Sequence, residues 1–93
     1  MDNQHRKISG YRDLTQDEID LMNEAKALEA KCLALHAKIG TALHRQSNSG
    51  DGAEHTRLDK ARACRWHAIA RTDIETGFMA LVRAIAQPQP REE

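Results

Sequence analysis

The apolar residues between positions 21 and 42 follow one spacing. Leu21, Ala25, Leu28, Cys32, Leu35, Ile39 and Ala42 are separated by four, three, four, three, four and three residues. A strand sends alternate side chains to opposite faces and cannot gather that set. A helix of about 3.6 residues per turn lines all seven up as a sustained heptad-like stripe. The start of this helix is specified too. Thr15-Gln-Asp-Glu18 fits a capping box, with Thr15 as N-cap and Glu18 at the third helical position, and Leu14 and Ile19 occupy the two positions of a hydrophobic staple. The stripe fades at "RQSNSGDG", residues 45–52, whose Ser, Asn, Asp and Gly residues form turns. The spacing therefore predicts one helix of about 30 residues, roughly 45 Å long.

Beyond the turn, Asp51 can cap a second helix, with Glu54 three residues on, and helical spacing runs to "AIAQP", where Pro88 stops it. Ala63, Ala70, Gly77 and Ala84 recur every seven residues, and His67, Ile74 and Leu81 form a parallel line. Small residues repeated on one line let another helix approach closely. The fold class is all-α: a long antiparallel helical hairpin, one domain over residues 1–88, followed by a disordered tail over 89–93. Residues 2–8 can add a short N-terminal helix, which would allow a three-helix monomer instead.

The hairpin leaves too little core. The chain has 93 residues, enough for one domain, and two long helices share a single seam. Chains of this size bury only about 60% of their surface even when globular. Ile19, Met22, Trp66, Phe78, Met79 and Ile85 cannot all lie on one seam, so the expected assembly is a compact helical homo-oligomer of stacked hairpins. Formal net charge is zero, 14 Lys+Arg against 14 Asp+Glu, which provides no strong field toward duplex nucleic acid or anionic membrane. No apolar run approaches the ~20 residues that span a bilayer. "MDNQHRK" has no apolar signal region, so Cys32 and Cys64 are expected as reduced cytoplasmic thiols.

Catalytic signatures are scarce. The five glycines form no phosphate-cradling loop, and the sequence contains no H-E-x-x-H or G-x-S-x-G. Carboxylates alternate with bases along helix faces, as in Glu24, Lys26, Glu29 and Lys31, which reads as solvated surface with i,i+4 pairs. With the turn near residue 50, Cys32 and His36 would lie level with about 68 and 64, so Cys32, His36, Cys64 and His67 could converge as a structural zinc set. The simpler reading is that Cys32 belongs to the apolar stripe as a small buried residue, with no metal. His5, His44 and His55 have polar neighbours and read as surface histidines.

Tyr11, the chain's only tyrosine, stands outside the first helix between Gly10 and Arg12. Its ring can pack on a neighbour, or it can act as a stacking plate for a flat base, worth ~1–3 kcal/mol per base. In the second case Gly10 allows close approach, Arg12 and Lys26 offer charge for phosphate, and the positive helix end suits an anion. Lys26 lies roughly 16 Å along the axis from Thr15, which suggests a pocket shared between protomers. Arg65, Arg71 and Thr72 on the second helix are further phosphate or hydroxyl contacts, or ordinary surface groups.

"HRKISGYRDLTQDEIDLMNEAKAL" and "RWHAIARTDIETGFMALVRAIAQP" resemble the phage anti-CBASS sponges, over about residues 3–35 and 65–88. The spacing "GYRxLTxxEIxxMNxxK" carries the resemblance. These are small helical-hairpin proteins that sequester the cyclic oligonucleotide signals of bacterial antiphage immunity. The resemblance implies a hexamer of interlocked hairpins, in the cytoplasm of the infected host, that binds ligand without cleaving it. It implies a cyclic-dinucleotide pocket between paired protomers, for ligands such as cyclic GMP-AMP, in which Tyr11 stacks on a base and Lys26 meets the phosphate ring, with Gly10 and Arg12 beside them. It implies for some members a second, cyclic-trinucleotide site at an oligomer axis, for which Arg65, Arg71 and Thr72 are the candidates here. No cofactor, nucleic-acid polymer or membrane is implied. The rival expectation is a helical oligomer that binds another protein and no nucleotide.

Overall fold

The protein's structure, a computed structural model, describes residues 12–90 as three helices in chain order: α1 (Gln16–Ser47), α2 (Gly52–Ala61) and α3 (Ala63–Ala86). Gly10, Tyr11, the short helix expected over residues 2–8 and tail positions 91–93 lie outside the described residues. The α1 start is the expected capping box. Thr15 is extended at φ −73° and ψ 164°, its hydroxyl accepts from the Glu18 N–H, and the Glu18 carboxylate accepts from the Thr15 N–H. The α2 start is simpler. Asp51 accepts from the Ala53 N–H, while Glu54 pairs with Arg57 rather than reaching back to the cap.

α1 and α3 form the antiparallel hairpin, and α2 also packs against α1. The second helix is not continuous as its spacing predicts. Arg62 adopts the left-handed conformation, φ 56° and ψ 40°, and ends α2 while starting α3. No glycine, asparagine or proline marks "DKARAC", so nothing local announces the break.

The break and the turn also reset the register. His36 lies opposite His67, not level with residue 64 as a turn centred on residue 50 requires. Three residues is close to one helical turn, enough to change which side chains meet.

The seam itself is rotated from the expected stripe. The α1 residues shielded against α3 include Met22, Ala25, Glu29, Cys32, His36, Gly40 and Leu43. Leu21, Leu28, Leu35 and Ile39 stand on its edge, 46–58% exposed. On α3, His67, Ile74, Phe78, Val82 and Ile85 face the seam, whereas Gly77 has open space around it. The line of small residues therefore does not form the seam as a whole: Ala70, Gly77 and Ala84 are exposed, and only Ala63 is half-buried. Among the described residues no hydrophobic side chain is buried; His36, 8% exposed, is the one buried residue.

Candidate functional site

The centre of the seam is a histidine pair. The rings of His36 and His67 stack with centroids 3.7 Å apart and planes 10° from parallel. His36 Nε2 lies 2.7 Å from the His67 carbonyl oxygen, and His67 Nε2 lies 2.8 Å from that of His36. A carbonyl can only accept, so each imidazole carries its proton on Nε2 and donates it across the seam. Gly40 makes room for this: a Cβ there would stand 2.9 Å from His67 Cε1.

This arrangement does not assemble the Cys-and-His zinc set. Both Nε2 atoms are committed as donors, Cys32 and Cys64 line different hollows, and no metal-ligand cluster forms among the described residues.

A second centre lies at the open end of the hairpin. Arg12 and Glu18 form a bidentate ion pair, with Arg12 Nη1 donating at 3.1 Å to Oε1 and Nη2 donating to Oε2. The same guanidinium donates from Nε to the Ala86 carbonyl (3.2 Å) and from Nη2 to the Ile85 carbonyl (2.8 Å). Those carbonyls belong to the last turn of α3, where no intrahelical donor remains and the helix end is negative. One side chain thus clips the entry of α1 to the exit of α3, using four of its five N–H donors.

The hydrogen bonds from Arg12, then that from the Thr15 N–H, then the smaller effects of the Thr15 hydroxyl and the Arg12 charge hold the Glu18 carboxyl down to about 2, against desolvation. Being lowered on folding, it contributes stability that is full above the ordinary glutamate range and is lost as pH falls toward about 2.

Lys26 lies just along the hairpin from that clip. It lines an open groove of about 420 Å³ with Met22, Glu29, Phe78, Val82, Arg83 and Pro88. Met22, Lys26 and Glu29 share one face of α1 at helical spacing, and the α3 residues come from its last two turns and the segment after it. Ala86, whose carbonyl takes the Arg12 hydrogen bond, borders the same groove. Ala86 thus belongs both to the Arg12 clip and to the wall of the Lys26 groove, a link invisible in a single helix. Lys26, Arg83, Phe78, Met22 and Glu29 in one groove can meet a flat, anionic, hydrogen-bonding ligand.

Arg65 and Thr72 are exposed, seven residues apart on one face of α3. Arg65 borders a small hollow at the α2–α3 joint with Arg62, Ser47 and Leu58. Arg71 is exposed and reaches Glu75 at 3.7 Å, and the Thr72 hydroxyl bonds back to the Ala68 carbonyl at 3.4 Å. Arg71 and Thr72 do not border the hollow that Arg65 lines. Glu29, Phe78 and Val82 were missing from the sequence-derived site. Helical spacing from Lys26 points to Glu29, but only the hairpin register brings Phe78 and Val82 to the groove.

A helical hairpin carrying these features matches a known family. The family described as "Acb2/Tad1, hairpin domain" matches residues 5–86. This chain belongs to that family. A relative in it, Anti-CBASS protein 2 of Pseudomonas phage JBD67, is 49% identical, with the alignment covering 96% of this chain and 98% of that protein. The Acb2/Tad1 match spans the clip, the histidine pair and the Lys26 groove except Pro88. No helix among the described residues is long and apolar enough to cross a membrane.

Proposed function

We propose that this chain is a phage anti-CBASS protein that binds and sequesters cyclic oligonucleotide messengers in the cytoplasm of the infected host, without cleaving them. The observation that carries the reading is the Lys26 groove, whose Ala86 wall also accepts a hydrogen bond from Arg12, in a member of the Acb2/Tad1 hairpin family. Lys26 and Arg83 offer charge to the phosphates of a cyclic dinucleotide such as cyclic GMP-AMP. Tyr11 stacks on a base, Gly10 allows its approach, and Arg12 holds the entry segment. A sequestering protein needs tight, slow-release binding and no nucleophile or acid–base dyad, in keeping with the sequence.

The groove is open, and a homo-hexamer is the assembly we propose to close it. Leu21, Leu28, Leu35, Ile39, Trp66, Met79 and Leu81 are 46–70% exposed, an apolar surface that contact with further copies would cover. In such an assembly, Arg65, Arg71 and Thr72 of several copies can gather at an axis into a second site for cyclic trinucleotides.

Calorimetry with cyclic di- and trinucleotides tests this. Wild-type protein is expected to bind at least one cyclic dinucleotide, and heat denaturation should release the ligand intact. Tyr11→Ala and Lys26→Ala should each weaken binding at least tenfold, about the loss of one base stack or one charged phosphate contact, without changing oligomer size. Wild-type affinity in both variants removes the pocket assignment. A chain whose melting no cyclic nucleotide shifts is instead a protein-binding module.

A further inference from the structure

We propose that Glu29 reads a guanine base, so that the Lys26 groove selects cyclic dinucleotides that carry guanine over those built from adenine alone. The inference rests on the cyclic-nucleotide reading above and adds what that reading leaves open, the identity of the base. A carboxylate repels the phosphates of such a ligand, and its two oxygens only accept hydrogen bonds. In this groove it must therefore meet donors on the ligand. Among the described residues the ion pairs join Arg12 to Glu18, Arg57 to Glu54 and Arg71 to Glu75, and Glu29 belongs to none of them. It is half-buried all the same, and lines the groove beside Met22 and Phe78.

The hairpin register orders the groove along its length. His36 lies opposite His67, so in an antiparallel pair Glu29 is level with about residue 74 and Lys26 with about residue 77. Arg83 and Pro88 line the groove nearer its open end. Glu29 thus stands at the inner end, about 4.5 Å along the axis from Lys26, and Arg83 stands about 9 Å from Lys26 in the opposite direction. Phosphates held between the two cations leave the inner end to a base, with the Phe78 ring as an apolar wall.

The donor pattern then selects the base. Guanine presents two adjacent donors, N1–H and the 2-amino group, which fit the two oxygens of one carboxylate. Adenine sets its 6-amino donor beside the N1 acceptor, so one carboxylate oxygen would face a lone pair. Two parallel hydrogen bonds to a charged group are strong and fix orientation. A site built to receive them rejects a ligand that lacks them, because its own polar group is left unpaired.

The experiment is calorimetry with cyclic di-GMP and cyclic di-AMP on the full-length protein, Glu29→Gln and Lys26→Ala. Wild type is also titrated with a hypoxanthine analogue of cyclic di-GMP, which lacks the 2-amino group. Wild type is expected to bind cyclic di-GMP about ten- to a hundredfold more tightly than cyclic di-AMP, the range of a bidentate contact to a base edge. The hypoxanthine analogue should fall between the two. Glu29→Gln keeps the shape but turns one acceptor into a donor, so it should lose most of the guanine preference and leave cyclic di-AMP affinity near wild type. Lys26→Ala should weaken both ligands alike, since they share their phosphates.

Equal wild-type affinity for cyclic di-GMP and cyclic di-AMP overturns the guanine assignment and leaves the sequestering reading standing. Equal loss of both ligands in Glu29→Gln, or an unchanged preference there, does the same. The hypoxanthine comparison needs no variant, and an analogue that binds as tightly as cyclic di-GMP overturns the assignment whatever the stability of Glu29→Gln. Wild-type protein that binds no cyclic nucleotide removes the sequestering reading itself, and this inference with it.

Discussion

Gly40 and His67 show how one absent methyl group can organise a seam. The His67 ring lies where a Cβ on residue 40 would have to be, 2.9 Å from its Cε1. That closeness lets His67 Nε2 reach the His36 carbonyl at 2.8 Å while the rings stack. Glycine inside a helix costs about 0.5–1 kcal/mol relative to alanine. Overpacking a fitted contact costs about 1–3 kcal/mol. The clash should win, so Gly40→Ala is expected to lower stability by about 1 kcal/mol. In a His67→Ala background the clash is gone and the same substitution should become stabilising. Chemical denaturation at one protein concentration reads both signs, and a Gly40→Ala change that destabilises equally in both backgrounds contradicts the account. The pairing was not legible in the sequence. His36 and His67 each sit on a helical face that any register could have matched to something else, and a turn centred on residue 50 pairs His36 with Cys64.

At the scale of the element, α1 was legible and the second helix only partly so. Thr15 and Glu18 act within one turn of each other, so their capping box needs no distant contact to form. The stop before Pro88 is equally local, with α3 ending at Ala86. The break at Arg62 is different. An L-residue at φ 56° is held there against its own sterics, and no local residue asks for it. Its consequence is tertiary: Leu58 and Arg62 come to border a hollow with Leu43 and Ser47 at the end of α1. Arg62→Gly removes the Cβ penalty and should stabilise the hairpin by about 0.5–1 kcal/mol, net of the entropy glycine adds to the unfolded chain. Arg62→Ala should bring no such gain. Thermal melting that ranks the two variants equally argues against strain at the joint.

At the scale of the whole molecule, the shape is elongated. The hairpin measures 61 × 30 × 17 Å with a radius of gyration of 20.0 Å, against about 12 Å for a compact domain of this length. Leu35 and Ile39 of α1 line one flank with Trp66 and Ala70 of α3, and Leu21 and Leu28 continue it with Leu81. Lys26 faces the other flank with Met79 and Arg83. Trp66, the only tryptophan, is 62% exposed in the single hairpin. Assembly through the apolar flank should cover it, so its emission should shift to the blue as protein concentration rises through the assembly range. Sedimentation should show a species several times the 10.5 kDa chain over the same range. A stable monomer with a solvent-exposed tryptophan at micromolar concentration removes the oligomer from the proposal.

The sequence by itself determined the helical class, the start of α1 at Thr15, a turn within residues 45–52 and the stop before Pro88. Each of these depends on residues within about one helical turn of one another, and local propensity, capping and periodicity decide such features. It also pointed to more apolar surface than one seam can use. Only the tertiary structure decided that His36 faces His67, that Gly77 has open space rather than α1 against it, and that Arg12 spends its donors on Glu18 and the α3 carbonyls. These features depend on the register of two helices, set by the turn and by the break at Arg62. A three-residue change of register leaves the pattern of each helix intact and changes every contact between them.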